Sequence, residues 1–171
     1  MRRPVVAVIG NGDAPPEVVR LAEEVGQKLV DAGFRLVTGG LGGVMEAAAR
    51  GARRSQHRRE GDVLGILPGS DPLAANSFTD IVIPSGLGIA RNVLVVASAD
   101  AVIALGGGSG TLSEMAIAWQ LGRPLVAVEL EGWSGRLAGE RIDERRNEPV
   151  ARAATADEAV DWVRARLSRA R

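Results

Sequence analysis

Ala101-Val-Ile-Ala-Leu-Gly-Gly-Gly-Ser-Gly-Thr-Leu-Ser-Glu114 is the stretch whose reading decides the fold. Five apolar residues, enough for a strand buried on both faces, run directly into four glycines within five positions: Gly106, Gly107, Gly108 and Gly110. Thr111 then enters a helical pattern, with Glu114 expected in its first turn. A strand, a bare backbone and a helix start in succession make an anion site. The first N–H groups of a helix lack intrahelical acceptors and lie at the positive end of its dipole, so they bind a phosphate together. Glycine lets the backbone come close and adopt positive φ.

Working outward, the same strand–glycine–helix pattern recurs upstream. Val5 to Ile9 is a continuous apolar run ending in Gly10-Asn-Gly12. Asp13 offers a cap, Pro15 and Pro16 open a helix, and Val18, Leu21, Ala22, Val25 and Leu29 share a face until Gly33 stops it. Arg35 to Thr38 is a second strand and passes into Gly39-Gly-Leu-Gly-Gly43, followed by an alanine-rich helix from Val44 to about Arg53. The basic run Arg53 to Glu60 has no interleaved aromatics and reads as a solvated loop, not a nucleic-acid surface. Val63 to Leu67 is a third strand and Asp71 to Asn76 a loop, while Ile81 to Ile83 is a short strand closed by Pro84. From Leu87 to about Ala97 the pattern is helical, with Ala90, Val93, Leu94 and Ala97 on one face and Arg91 and Asn92 free to point elsewhere. The helix after Gly110 should bury Leu112, Met115, Ala116 and Trp119. Pro124 to Val128 is the last clear strand, and Glu129 to Glu148 is polar and unassigned. Ala156 to about Leu167 closes the chain as an amphipathic helix with Ala159, Val160, Val163 and Leu167 inward.

Strands alternating with helices predict an α/β fold: a doubly wound, mostly parallel sheet flanked by helices, with residues 1–171 as one domain. In such sheets ligands gather outside the carboxyl ends of the strands. The three glycine-rich turns all follow strands, so they should converge on one ligand. Gly10 and Asn11 would contribute from the first turn. Gly39, Gly40, Gly42 and Gly43 would contribute from the second, and Gly107, Gly108, Ser109, Gly110 and Thr111 from the third.

Composition narrows the chemistry. Hydrophobic residues make up 46% and charged residues 25%, as in ordinary globular proteins. Charges cancel, 21 basic against 21 acidic, so no global field favours nucleic acid or an anionic membrane, and anion recognition must be local. Absence of cysteine excludes disulfides, thiol nucleophiles and cysteine-held metal clusters, and one histidine, His57, cannot furnish a His-rich metal site. No stretch approaches the roughly 20 apolar residues that cross a bilayer, and the expected compartment is the cytoplasm. The dinucleotide fingerprint fails: the first turn reads Gly10-Asn-Gly12-Asp-Ala-Pro15, and the second strand ends in Thr38, not an acid. A P-loop fails too, since no turn carries the lysine. What remains is a smaller phosphate compound, a mononucleotide or a phosphorylated cofactor.

The run Arg91-Asn-Val-Leu-Val-Val-Ala-Ser-Ala-Asp-Ala-Val-Ile-Ala-Leu-Gly-Gly-Gly-Ser-Gly-Thr-Leu-Ser-Glu114, with Thr38-Gly-Gly-Leu-Gly-Gly43 upstream, resembles the Lonely Guy superfamily of Rossmann-like proteins. The resemblance extends from about Val5 to Val128. Its enzyme branch consists of phosphoribohydrolases, which cleave the N-glycosidic bond of nucleoside 5′-monophosphates, cytokinin forms included, to base and ribose 5-phosphate. The resemblance implies a homodimer or higher oligomer, no metal requirement, and Arg91 and Glu114 as the catalytic pair. Glu114 would bind ribose hydroxyls, stabilise the oxocarbenium-like sugar or activate water, while Arg91 orients the substrate. Two positions depart from that branch: Gly106 stands in place of its proline, and Asn92 in place of its lysine. They bring the chain nearer to a branch that contains molybdenum-cofactor carrier proteins, with a comparable Arg-Asn and Gly-x-Gly-x-Gly-Thr loop. The alternative expectation is therefore a binder of molybdenum cofactor, whose pterin carries a terminal phosphate, with Asn92 among the ligand-binding residues.

Overall fold

A computed structural model describes residues 2–168; Met1 and residues 169–171, the ends of the expected 1–171 unit, lie outside the described residues. Seven strands form one sheet in the order β4-β3-β2-β1-β5-β6-β7, and every neighbouring pair is parallel. The strands are β1 (Val5–Gly10), β2 (Arg35–Thr38), β3 (Val63–Leu67), β4 (Ile81–Pro84), β5 (Ala101–Leu105), β6 (Leu125–Val128) and β7 (Ala151–Ala153). The chain winds outward from β1 to β4, then returns to place β5 on the other side of β1. The carboxyl ends of β1 and β5 thus flank the point where the winding reverses, which is where a doubly wound sheet opens a crevice.

Buried strands and their helices give two core layers. One joins α1 (Pro16–Asp31), α2 (Val44–Arg54) and α6 (Ala156–Ser168) to side chains such as Val6, Val8, Ile103 and Val126. The other sets α3 (Arg91–Ala97), α4 (Ser109–Gln120) and α5 (Trp133–Leu137) against Ala7, Ile9, Val102 and Ala104. The alternation of side chains along β1 and β5 divides them between the layers, so both faces of the central strands must be apolar. That is why Val5 to Ile9 and Ala101 to Leu105 read as unbroken apolar runs.

Several expectations need correcting. Asp13 does not cap α1; Pro15 occupies the N-cap position without a side-chain cap and Pro16 begins the helix. The stretch from Leu87 is not continuously helical: Gly88–Ala90 is a 3-10 turn with Gly88 at φ +56°, and α3 starts at Arg91. α3 buries Arg91, Val95 and Val96, leaving Val93 and Leu94, expected inside, exposed with Ala90 and Ala97. Its seven residues offer apolar side chains all round, so periodicity alone cannot select the inner face. In α4 the buried set is Thr111, Glu114, Met115, Ala118 and Trp119, while Leu112 and Ala116 are only half-buried. Glu114 is the sixth residue of that helix, past the first turn, and so does not complement the dipole end. The unassigned segment holds α5, and the three-residue β7 follows it.

Backbone contact between α1 and α2 holds the first two β-α units together. A Cβ on Gly26 would lie 2.0 Å from the Ala48 carbonyl oxygen, and one on Gly51 would lie 1.9 Å from that of Glu23. Side chains there would force the helices apart. Gly26→Ala and Gly51→Ala should each lower the unfolding free energy in urea by about 2 kcal/mol or more. Gly69→Ala, with no atom within 4 Å of its added carbon, should change it by less than about 0.5 kcal/mol.

Candidate functional site

The three glycine turns meet at Asn11. Its backbone carbonyl accepts from the Val44 N–H at 2.9 Å, which fixes the start of α2, and its Oδ1 accepts from the Gly107 N–H at 2.6 Å. Gly10 must lack a side chain, because a Cβ would sit 2.5 Å from the Leu105 carbonyl and 2.7 Å from Val44. In the third turn Gly106 and Gly107 adopt φ of +63° and +96°. Their carbonyls point away toward α5: Gly107 accepts from the Trp133 N–H and Gly106 from the Ser134 N–H. The buried Ser134 hydroxyl accepts from the Gly106 N–H at 2.7 Å and donates to the Val128 carbonyl at 2.6 Å.

This bracing frees the next amides. α4 begins after Gly108 with no side-chain cap, and its first backbone bond runs from the Leu112 N–H to the Gly108 carbonyl. The N–H groups of Ser109, Gly110 and Thr111 therefore have no acceptor within the helix. Gly108, Ser109, Gly110 and Thr111 line a cleft of about 360 Å³, walled also by Gly10, Asn11, Gly12, Asp13, Gly39, Met45, Arg91, Asn92 and Glu114.

Arg91 enters the cleft from the start of α3, nearly buried, and passes beneath Gly39. A Cβ at Gly39 would stand 2.6 Å from the guanidinium Nη2, so a side chain there would have to displace the Arg91 guanidinium. Nη1 donates to Asn92 Oδ1 at 2.9 Å and lies 3.5 Å from Glu114 Oε1, while the buried Nε has no partner. Asn92 Nδ2 donates to Ser113 Oγ at 2.8 Å, and that hydroxyl donates to the Gly110 carbonyl at 2.7 Å. The arginine is thus linked through Asn92 to the amide-bearing turn. Glu114 is buried, and desolvation pushes its carboxyl up to about 7, with the Arg91 charge pulling the other way. Desolvation also lowers Arg91, opposed by Glu114.

The cleft brings together Gly10, Asn11, Gly39, Arg91, Asn92, Gly108, Ser109, Gly110, Thr111 and Glu114. Gly107 sits behind it with its amide taken by Asn11. Gly40, Gly42 and Gly43 do not line it. Gly40 is pressed against Gly65, and Gly42 and Gly43 lie against the first turn, where a Cβ on Gly43 would be 2.2 Å from the Asn11 carbonyl oxygen. Asp13, Met45, Ser113 and Ser134 belong to the site or its support without having been expected from the sequence. Ser134 lies in a five-residue helix without periodicity, and no local pattern marks it. Among the described residues, no cluster of three or more His, Cys, Asp or Glu is placed to hold a metal, and no helix is long and apolar enough to cross a membrane.

The family profile described as SLOG cluster4 matches residues 3–160. The chain belongs to the SLOG cluster4 family. An uncharacterised protein of Archaeoglobus fulgidus is 44% identical over 124 residues, covering 72% of this chain and 79% of that one. The molybdenum cofactor binding protein of the phototrophic bacterium Rippkaea orientalis superposes with a TM-score of 0.85 at 33% identity, over 98% of this chain and 99% of that chain. The molybdenum cofactor carrier protein of Chlamydomonas reinhardtii superposes with a TM-score of 0.82 at 28% identity, over 97% and 99%. These neighbours agree with the branch toward which Gly106 and Asn92 depart.

Glu114 makes stability depend on pH. Its carboxyl titrates near 7 when folded and near 4.5 when unfolded, so between those values the folded state holds the extra proton and stability falls as pH rises. Urea unfolding from pH 4.5 to 8 should show wild type losing up to about 3 kcal/mol relative to Glu114→Gln, with the curves parallel above the folded value. Parallel curves throughout would contradict the buried, raised carboxyl.

Proposed function

We propose that this protein binds and carries a small phosphorylated ligand of the molybdenum-cofactor type without converting it. The observation that carries this reading is the row of unpaired amides at Ser109, Gly110 and Thr111, opening into the cleft that also holds Arg91. The terminal phosphate on the pterin of that cofactor suits such a helix end, which gives several hydrogen bonds and a favourable dipole in one place. Arg91, with its unpartnered Nε, supplies the buried positive charge of the cleft, and Asn92 holds it in place. Binding of molybdenum cofactor by the Rippkaea orientalis and Chlamydomonas reinhardtii neighbours supports the same reading.

One observation favours a second reading, hydrolysis of a nucleoside 5′-monophosphate to base and ribose 5-phosphate. Glu114 titrates near neutrality beside Arg91 in the same cleft, which suits a group that exchanges a proton or steadies a glycosyl cation. The carrier reading stands first because molybdenum cofactor binding and carrier proteins superpose over nearly the whole chain.

Protein mixed with freshly released molybdenum cofactor and passed through a desalting column should retain it and return it unchanged. A panel of nucleoside 5′-monophosphates should yield no free base. Base release that Glu114→Gln abolishes would establish the hydrolase instead. Gly110→Asp places a carboxylate at the open helix end without steric conflict, since no atom lies within 4 Å of the added carbon. It should weaken cofactor retention at least tenfold while leaving the fold intact or stabilising it by about 0.5 kcal/mol.

A further inference from the structure

A site for a phosphoryl group is expected to gather positive charge, yet the lining of this cleft carries more acid than base. Of its residues only Asp13, Arg91 and Glu114 are ionisable, two carboxylates against one cation. Asp13 is exposed on the rim, where water screens it. Glu114 is buried, on the same helix whose first amides are open.

Little offsets that buried carboxylate. Among the described residues its one polar partner is Arg91, whose Nη1 stands 3.5 Å from Oε1. Of the elements packed on α4, α3 brings Arg91 alone, and β1, β5 and β6 bring no ionisable side chain. α5 brings Arg136, which is exposed and stacked 5.0 Å over the centre of the Trp133 ring. Arg91 must therefore serve two anions. Asn92 Oδ1 holds its Nη1 at 2.9 Å, so the guanidinium stays in place when a ligand arrives. A phosphoryl group that draws on the same cation leaves an ionised Glu114 buried and facing like charge, and both conditions favour the neutral acid. Even in the empty cleft that carboxyl titrates at about 7, so neutral pH supplies the proton at little cost.

We propose that ligand entry is coupled to protonation of Glu114: the cleft takes a proton from water as the phosphoryl group binds and returns it as the group leaves. Uptake removes one negative charge from the lining and turns an acceptor-only carboxylate into an O–H donor for a ligand oxygen. The bound form keeps the proton to higher pH than the empty one. Affinity is therefore level below about 7 and falls by up to about tenfold per pH unit above it. The ligand is held more tightly as pH falls and released as it rises. The inference rests on the phosphoryl site proposed above and adds the proton that travels with the ligand.

Inorganic sulfate tests it with a charge that stays fixed from pH 6 to 8, so titration of the anion contributes nothing. Its dissociation constant, read from the Ser109, Gly110 and Thr111 amide signals at constant ionic strength, should be about five to ten times larger at pH 8 than at pH 6. Glu114→Gln should give one constant at both pH values, close to that of wild type at pH 6. His57→Gln, which changes the only histidine in the exposed loop beyond α2, should keep the wild-type dependence. A second readout requires no variant to fold. Sulfate added to weakly buffered wild type at pH 7.5 should take up roughly half a proton or more per anion bound, and sodium chloride of equal ionic strength far less. Sulfate that binds at 109–111 with equal affinity at pH 6 and 8 and no proton uptake would overturn the coupling and leave the phosphoryl site standing. A pH dependence that survives Glu114→Gln would overturn the coupling too. Sulfate that shifts none of the three amides at either pH would overturn the phosphoryl site and the coupling together.

Discussion

Everything at the crevice depends on three backbone amides that α4 leaves without partners. A helix start leaves amides without intrahelical partners, and many chains cap it with a side chain; at α4 the mouth is exposed at Gly108, Ser109 and Gly110, with only Thr111 buried. Here Gly108 provides no cap, and the preceding turn spends its own polar groups elsewhere. Gly106 and Gly107 turn their carbonyls toward α5, Ser134 ties the loop to β6, and Asn11 takes the Gly107 amide. The bracing thus secures the loop without filling the helix mouth.

The second element of the site is a buried ion pair with loose geometry. Arg91 and Glu114 approach only to 3.5 Å, and the arginine's Nε is unpaired, so the pair does not satisfy itself. Two such groups held inside a protein are poor stabilisers, and a buried pair with shifted titration in a cleft is a candidate for ligand contact. Gly39 is the counterpart of that choice: the bare backbone above the guanidinium is what lets Arg91 lie flat beneath the second strand's end. Asn92, joined to Arg91 and through Ser113 to Gly110, makes the arginine and the helix mouth one unit.

The sheet, its parallel winding and the convergence of the glycine turns were legible because they rest on long apolar runs and on glycine, the two strongest local signals. What was not legible had weak or ambiguous local causes. β7 has three residues with Arg152 at its centre and owes its place to pairing with β6. α5 is one turn and a half fixed by its bonds to Gly106 and Gly107. The inner face of α3 could not be chosen from apolarity, since both faces are apolar; the burial of Arg91 against Gly39 and Glu114 decides it. The second turn's glycines read as ligand contacts, yet Gly40, Gly42 and Gly43 stand off the cleft; Gly40 and Gly43 are glycine because of their positive φ and close neighbours, while Gly42 has room for a Cβ. Close packing and ligand approach select the same residue, and only coordinates separate them.

The most direct measurement is amide nitrogen–proton NMR of the labelled protein during titration with a pterin phosphate and with the same pterin lacking the phosphate. Saturable downfield shifts of the Ser109, Gly110 and Thr111 amide protons with the phosphorylated compound alone are the predicted result. Equal shifts with both compounds, or shifts that leave 109–111 untouched, would contradict the claim that this helix mouth grips a phosphoryl group.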